Sequence, residues 1–379
     1  MKSPAIFAVL SILLWSAVSN GAELHDRIGV AHAGGKYSLA TDDRDYLSEG
    51  ARQIRYGLGS RVIKLWLTRR PASLYAFNSP WWVNDTLSAQ LTTVADHMYY
   101  RQVFSMPFTT IILVVDAPDY VWFGNGITRE EEAAEERAFY ELTRYLMGTY
   151  AGSGKTFILQ NWEGDWLLRL NVNVNDEPSA MAVEGMTRWL NARQRGVERA
   201  RAELANLDGV TVRHAVEVNQ VWMAKNQPSR ASVTNDVLPF VNADMYSYSA
   251  WEASGDLTGR LLREMLTYID EKTVGTGNVY VGEYGAPENS SRDYLSRIVA
   301  LTNAALEWGA PYVIYWQLYC NEFAETNSVS RFGGVLNSDM RGFWLVRPDG
   351  THSPAWDFLR GLIRQAPGRG RIPERLRDN

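Results

Sequence analysis

The sequence predicts a single (β/α)8 barrel, on three observations. Eight short apolar runs rich in β-branched residues recur along the chain, helical stretches separate them, and roughly 340 residues remain once the two ends are set aside. An open doubly wound sheet would need fewer strands or a nucleotide fingerprint. No internal repeat or low-complexity linker divides the body, so one domain is expected over 23–363, between a leader at 1–22 and a tail at 364–379.

The strands expected, in order, are Arg27–Ala33, Val62–Leu67, Thr110–Val115, Thr156–Asn161, Val210–Val218, Asp244–Ser249, Val279–Glu283 and Tyr312–Leu318. Helical patterns fill 130–150, 178–207, 255–273 and 291–309. The first of these opens on EEE, which complements the positive end of a helix. The last stops at Gly309 with Pro311 just beyond, a helix end that leads into a strand.

At the N-terminus, Lys2 precedes the uncharged run 5–18, and Ser19, Gly21 and Ala22 offer a cleavage site, which together predict an export signal. Fourteen apolar residues fall short of the roughly 20 that span a bilayer, and no later stretch is long and apolar enough, so no membrane span is expected in the mature chain. The expected location is secreted or periplasmic. The tail 364–379 is rich in arginine, proline and glycine with no apolar period, and reads as disordered. Cys320 is the only cysteine, so no intramolecular disulfide can form. Residues 23–363 carry a net charge of about −9, the wrong sign for a nucleic-acid partner.

Several motifs mislead. GSGKT at 152–156 resembles a phosphate-binding loop, but the glycine that should stand at position 149 is a threonine. The segment also precedes a strand rather than following one, so it reads as a helix-to-strand turn. His25, His32, His97, His214 and His352 show no metal-binding spacing, and no Gly-x-Ser-x-Gly elbow occurs.

In a barrel, chemistry sits at the C-terminal ends of the strands. Strand four reads TFILQNWEGDW, an apolar run that ends in Asn161, Trp162, Glu163 and Asp165; strand seven reads VYVGEYGAPE, with Glu283 directly after Gly282. A charge that interrupts a buried strand is costly unless it is paired or has a task. One such glutamate is most simply a structural ion pair. Two at upper strand ends suggest a carboxylate pair across the barrel mouth, the arrangement that glycosidic bond cleavage requires. Of the 13 tryptophans beyond the leader, nine fall at upper strand ends or in the loops after them: Trp66, Trp81, Trp82, Trp122, Trp162, Trp166, Trp222, Trp251 and Trp316. Indole faces stack on the apolar faces of sugar rings, so this placement points to a saccharide cleft.

Glu163 after strand four, Glu283 after strand seven and Trp316 in VIYWQLY resemble the retaining (β/α)8 glycoside hydrolases. The segment 347–362 is similar to the stretch that opens the last barrel helix in those enzymes. The resemblance implies that Glu163 is the acid/base and Glu283 the nucleophile, acting on an oligo- or polysaccharide with no cofactor and no metal. It also implies a substrate-binding set, here Asn161, Trp162, Tyr248, Trp251, Trp316, His214 and Lys64. The sequence departs from the usual pattern in two places. Trp162 separates Asn161 from Glu163, and Lys64 is the nearest cation to the expected strand-two arginine. On strand six, Tyr246 and Tyr248 both offer a hydroxyl to the nucleophile, with Tyr248 favoured. Glu217 is the chief rival carboxylate, with Asp165 and Asp116 behind it. A barrel that binds sugar but has lost catalysis is the alternative reading.

Overall fold

The computed structural model describes residues 23–81, 90–115, 125–274, 278–325 and 334–365. The leader, Trp82, Asp116, Trp122 and nearly all of the tail lie outside these residues. Eight parallel strands close into one barrel in sequence order: β1 Ile28–Ala31, β2 Val62–Leu67, β3 Thr110–Val115, β4 Lys155–Gln160, β5 Val210–Val218, β6 Met245–Ser249, β7 Val279–Tyr284 and β8 Val313–Tyr315. The fold is the (β/α)8 barrel that the strand count predicts.

Around it run the helices α1 Tyr46–Arg52, α2 Met98–Ser105, α3 Arg129–Tyr150, α4 Ala180–Glu203, α5 Arg260–Lys272, α6 Tyr294–Trp308 and α7 Pro354–Ile363. After β5 the helical layer thins to the short helix Val221–Asn226 and a π-helical turn, Val233–Val237. Local sequence explains several boundaries. Thr128 and Glu131 form a reciprocal capping box that starts α3. Gly309 ends α6 in the left-handed conformation, φ 100°, which a side chain would strain.

The GSGKT segment is the turn between α3 and β4. Gly152 and Gly154 both have positive φ, and their N–H groups donate to the carbonyls of Asp208 and Gly209. Lys155, the residue that would hold a phosphate, starts β4, and its ammonium donates to the carbonyls of Met106 and Phe108.

Strands covered by helices on one side and filled by side chains on the other are buried on both faces, which is why each reads as an apolar run. Polar residues then stand out. Between α3 and α4, the Arg193 guanidinium pairs with Glu135 at 2.7 Å and lies over the rings of Trp189 and Phe139. The buried charges Lys64, Glu163, Asp165, Glu217 and Glu283 gather at the upper end of the barrel. Among the described residues, no helix is long and apolar enough to cross a membrane.

Candidate active site

Glu163 and Glu283 meet at the barrel mouth, 6% and 2% exposed. β4 stops at Gln160, and the chain turns so that Glu163 immediately precedes a short helix, Gly164–Arg169. That turn is tied to β5. The Asn161 side-chain amide donates to the Glu217 carbonyl and accepts from the Glu217 N–H, both at 3.0 Å. Two residues beyond Glu163, the Asp165 N–H donates to Asn219 Oδ1 at 2.9 Å, and the Asn219 N–H donates to Asp165 Oδ2 at 3.3 Å.

Glu283 is placed by an irregularity. Tyr248 of β6 pairs with Val281 of β7, but the next pair is Ser249 with Glu283, so Gly282 is an extra residue in β7. Such a bulge re-aims the side chain beside it. Gly282 also has to be glycine. A Cβ there would lie 1.9 Å from Ser247 Oγ and 2.6 Å from Glu217 Oε1. Gly282→Ala is therefore expected to destabilise the fold by about 1–3 kcal/mol through overpacking, read as a lower urea midpoint with an unchanged slope.

Lys64 joins the cluster from β2. Its ammonium, fully buried, donates to Glu217 Oε1 at 2.9 Å, to Glu283 Oε1 at 2.8 Å and to the Gly282 carbonyl at 3.2 Å, which uses all three of its N–H groups. Burial opposes its charge, and the two glutamates more than restore it, so its pKa is raised. From β6, Ser249 Oγ lies 2.5 Å from Glu163 Oε1 and 3.3 Å from Glu283 Oε2. One hydroxyl within reach of both carboxyl groups puts those two oxygens no more than about 6 Å apart. Burial, followed by the Glu283 charge, pushes the Glu163 carboxyl up to about 8. Burial raises Glu283 to about 7, with Lys64 pulling against it.

Aromatic rings line the mouth. Trp66 and Trp316 meet edge-on at 5.5 Å, Trp316 and Trp251 at 6.5 Å, and Trp251 and Phe343 at 5.5 Å. Lys64 Nζ lies 5.3 Å from the centre of the Trp66 ring. Trp162 is half-buried against the core, Trp222 is 44% exposed on the short helix after β5, and the Trp316–Gln317 peptide is cis.

Several expectations from the sequence need correcting. Tyr248 does not reach the candidate nucleophile: its hydroxyl donates to Glu252 at 3.3 Å, and Ser249, one residue on, takes the place next to Glu283. His214 lies in the layer between barrel and helices. Its Nδ1 is 3.2 Å from Gln194 of α4 and its ring packs on Phe139 of α3. Burial holds His214 well below its usual pKa, so it stays neutral there. The Asn161 amide is committed to the β5 backbone rather than free for a sugar hydroxyl. Asp165 is a clamp that also accepts from the Val233 N–H at 3.0 Å and pairs with Arg169 at 3.4 Å. Trp81 serves a side cluster, with its indole N–H on the Tyr75 carbonyl and its ring against His97 and Tyr99.

Sequence reasoning missed Ser249, Ser247, Gln160 and Phe343. The two serines carried a usable signal in MYSYS, where period two sets both serines on one face and both tyrosines on the other. Among the described residues, no group of three or more His, Cys, Asp or Glu could hold a metal ion.

No protein-family profile and no curated protein matches the sequence. Solved structures do match. An exo-beta-1,4-mannosidase from Opitutaceae bacterium strain TAV5 aligns over 89% of this chain and 59% of its own, at TM-score 0.54 and 13% identity. A Bacteroides uniformis beta-glucuronidase aligns over 90% of this chain and 35% of its own, at 0.53 and 11%. An endo-beta-1,4-glucanase from Xanthomonas axonopodis pv. citri aligns over 90% of this chain and 100% of its own, at 0.50 and 12%. The architecture is the one that the resemblance to (β/α)8 glycoside hydrolases implies. This chain thus spans well under two thirds of the mannosidase and about a third of the glucuronidase, and the likeness to all three is one of fold.

Proposed function

We propose that the chain is an exported glycoside hydrolase that cleaves β-linked glycosidic bonds with retention, with Glu283 as nucleophile and Glu163 as acid/base. The observation that carries this reading is the single Ser249 hydroxyl within reach of both carboxyl groups. Retaining enzymes hold the pair about 5–5.5 Å apart, whereas inverting enzymes leave room for a water between them.

A hydroxyl has one proton and cannot donate to both neighbours. With Glu163 protonated, its O–H donates to Ser249 Oγ, and Ser249 donates to Glu283. That arrangement leaves Glu283 ionised, as Lys64 also favours. In the first step Glu163 gives its proton to the departing glycosidic oxygen while a Glu283 oxygen attacks the anomeric carbon, forming a glycosyl ester. In the second, the Glu163 carboxylate takes a proton from water, whose oxygen displaces Glu283 and restores both groups. The aromatic run through Trp66, Trp316 and Trp251 supplies faces for sugar rings.

The pH profile has a definite expected shape. Activity needs Glu283 ionised, so kcat/KM rises as pH passes through the value near 7. It needs Glu163 protonated, so kcat/KM falls above the value near 8. The result is a narrow bell centred between the two, in contrast to an optimum near pH 5. A panel of aryl β-glycosides and β-linked polysaccharides tests the reading, with the anomer of the first-formed product followed by NMR. A β-anomer supports retention; an α-anomer overturns it.

The commitment of Asn161 to the β5 backbone favours a second reading, a sugar-binding barrel without catalysis. Oligosaccharides that quench tryptophan fluorescence with no turnover on the same panel would support it.

A further inference from the structure

Glu217 lies on β5 between the two candidate catalytic glutamates, fully buried, and four donors converge on it. Oε1 accepts from Lys64 at 2.9 Å, Gln160 at 2.8 Å and Ser247 at 2.9 Å; Oε2 accepts from the Glu163 N–H at 3.1 Å. None of these donors is left for a substrate, and the carboxylate has no open side toward the mouth. Its partners are the telling feature. One oxygen anchors the cation that binds Glu283, and the other anchors the backbone of Glu163. A single side chain therefore fixes both members of the pair, across a gap of 120 residues in sequence.

We propose that Glu217 is a positioning residue that holds Lys64 against Glu283 and the Glu163 turn against the barrel, and that its charge divides the pull of Lys64 between two carboxylates. The inference rests on the proposed retaining reaction for its kinetic consequences. The charged and titratable groups that face Glu217 are Lys64 from β2, Glu163 after β4, and Tyr280 and Glu283 from β7. Ser247 and Gln160 contribute neutral donors, and Tyr280 donates in turn to Gln160. One ammonium among three carboxyl groups cannot neutralise them all. The Glu217 charge accordingly works against ionisation of Glu283 and of Glu163 alike.

Glu217→Gln keeps the shape and removes the charge. Lys64 then acts undivided on Glu283, and both glutamates lose a like-charged neighbour. Both limbs of the kcat/KM bell are expected to move to lower pH by about one unit. A merely structural role would lower activity with the limbs in place, and that result overturns the proposal. Ser247→Ala perturbs the same spot without changing its charge, and its bell should stay where the wild type's lies. If Glu217→Gln does not fold, Glu217→Asp carries the test. Shortened by one methylene, it cannot hold Lys64 and the Glu163 turn together, so kcat should fall by about tenfold or more with KM unchanged. An unchanged kcat overturns the proposal.

Two further outcomes separate this inference from the function it rests on. If Glu217→Ala is inactive and azide restores turnover, Glu217 is itself the nucleophile and the proposal fails. If the wild type cleaves no glycoside, the proposed function fails, while the inference is still read from carboxyl 13C NMR of the glutamate-labelled chain. In that spectrum Glu283 must titrate at lower pH in Glu217→Gln than in wild type; an unmoved signal overturns the proposal.

Discussion

Glu283→Ala is expected to lose at least about 10⁴-fold in kcat, and azide or formate is expected to restore a large part of it. The loss follows from the chemistry: without a carboxylate at this position no glycosyl ester forms. The rescue follows from the site. Truncation empties a space bordered by the Lys64 ammonium and the Ser249 hydroxyl, which now lack the anion they hold. A small anion can enter there and attack the anomeric carbon from the same side as the missing carboxylate. The product with azide is then a glycosyl azide of inverted configuration. Undiminished hydrolysis by this variant, or rescue that yields the β-azide, would show that Glu283 is not the nucleophile.

Lys64→Met is expected to be the most damaging single change to stability, by about 3–5 kcal/mol at neutral pH. The methionine fills a similar volume, but two buried carboxylates lose their cation at once. The deficit should depend on pH in a definite direction. Carboxyl groups whose pKa is raised in the folded state bind protons that the unfolded chain has released, so they oppose folding as pH rises above about 4.5. Without Lys64, which lowers the Glu283 value, this opposition grows. Urea titrations at pH 5 and pH 8 should therefore show a smaller gap between variant and wild type at the lower pH. A gap that is the same at both would mean that the damage comes from packing rather than from charge.

The strands were legible because a closed parallel barrel buries both faces of each one, and a run such as Thr110–Val115 is too apolar for a surface loop and too short for a buried helix. Glu163 and Glu283 stood out for the same reason, as charges where apolar residues belong. The faces of the strands were not legible. In MYSYS, alternation separates serines from tyrosines but does not say which pair faces inward, and the larger polar group was the wrong choice. The cavity already holds Lys64, Gln160 and three glutamates, so only small side chains fit there. His214 failed likewise: it shares the outward face of β5 with residues that meet α3 and α4, one step from inward-facing residues. The lone glycine in VYVGEY hints at a bulge, but nothing in the pattern says that Glu283 is the residue it re-aims. The link from Lys64 to Glu217 spans 153 positions, a distance at which sequence pattern carries no information.

The paired clamps between the end of β4 and the end of β5 bear on how this barrel could be re-engineered. Loops at a barrel mouth are usually treated as exchangeable parts carried on a fixed scaffold. Here the turn that bears Glu163 is stitched to its neighbour at Asn161 and again at Asp165, with each stitch made in both directions. A transplanted loop would arrive without its seam. The portable module is the whole two-strand segment from Lys155 to Asn219, and a chimera cut inside it would separate the acid from the frame that aims it.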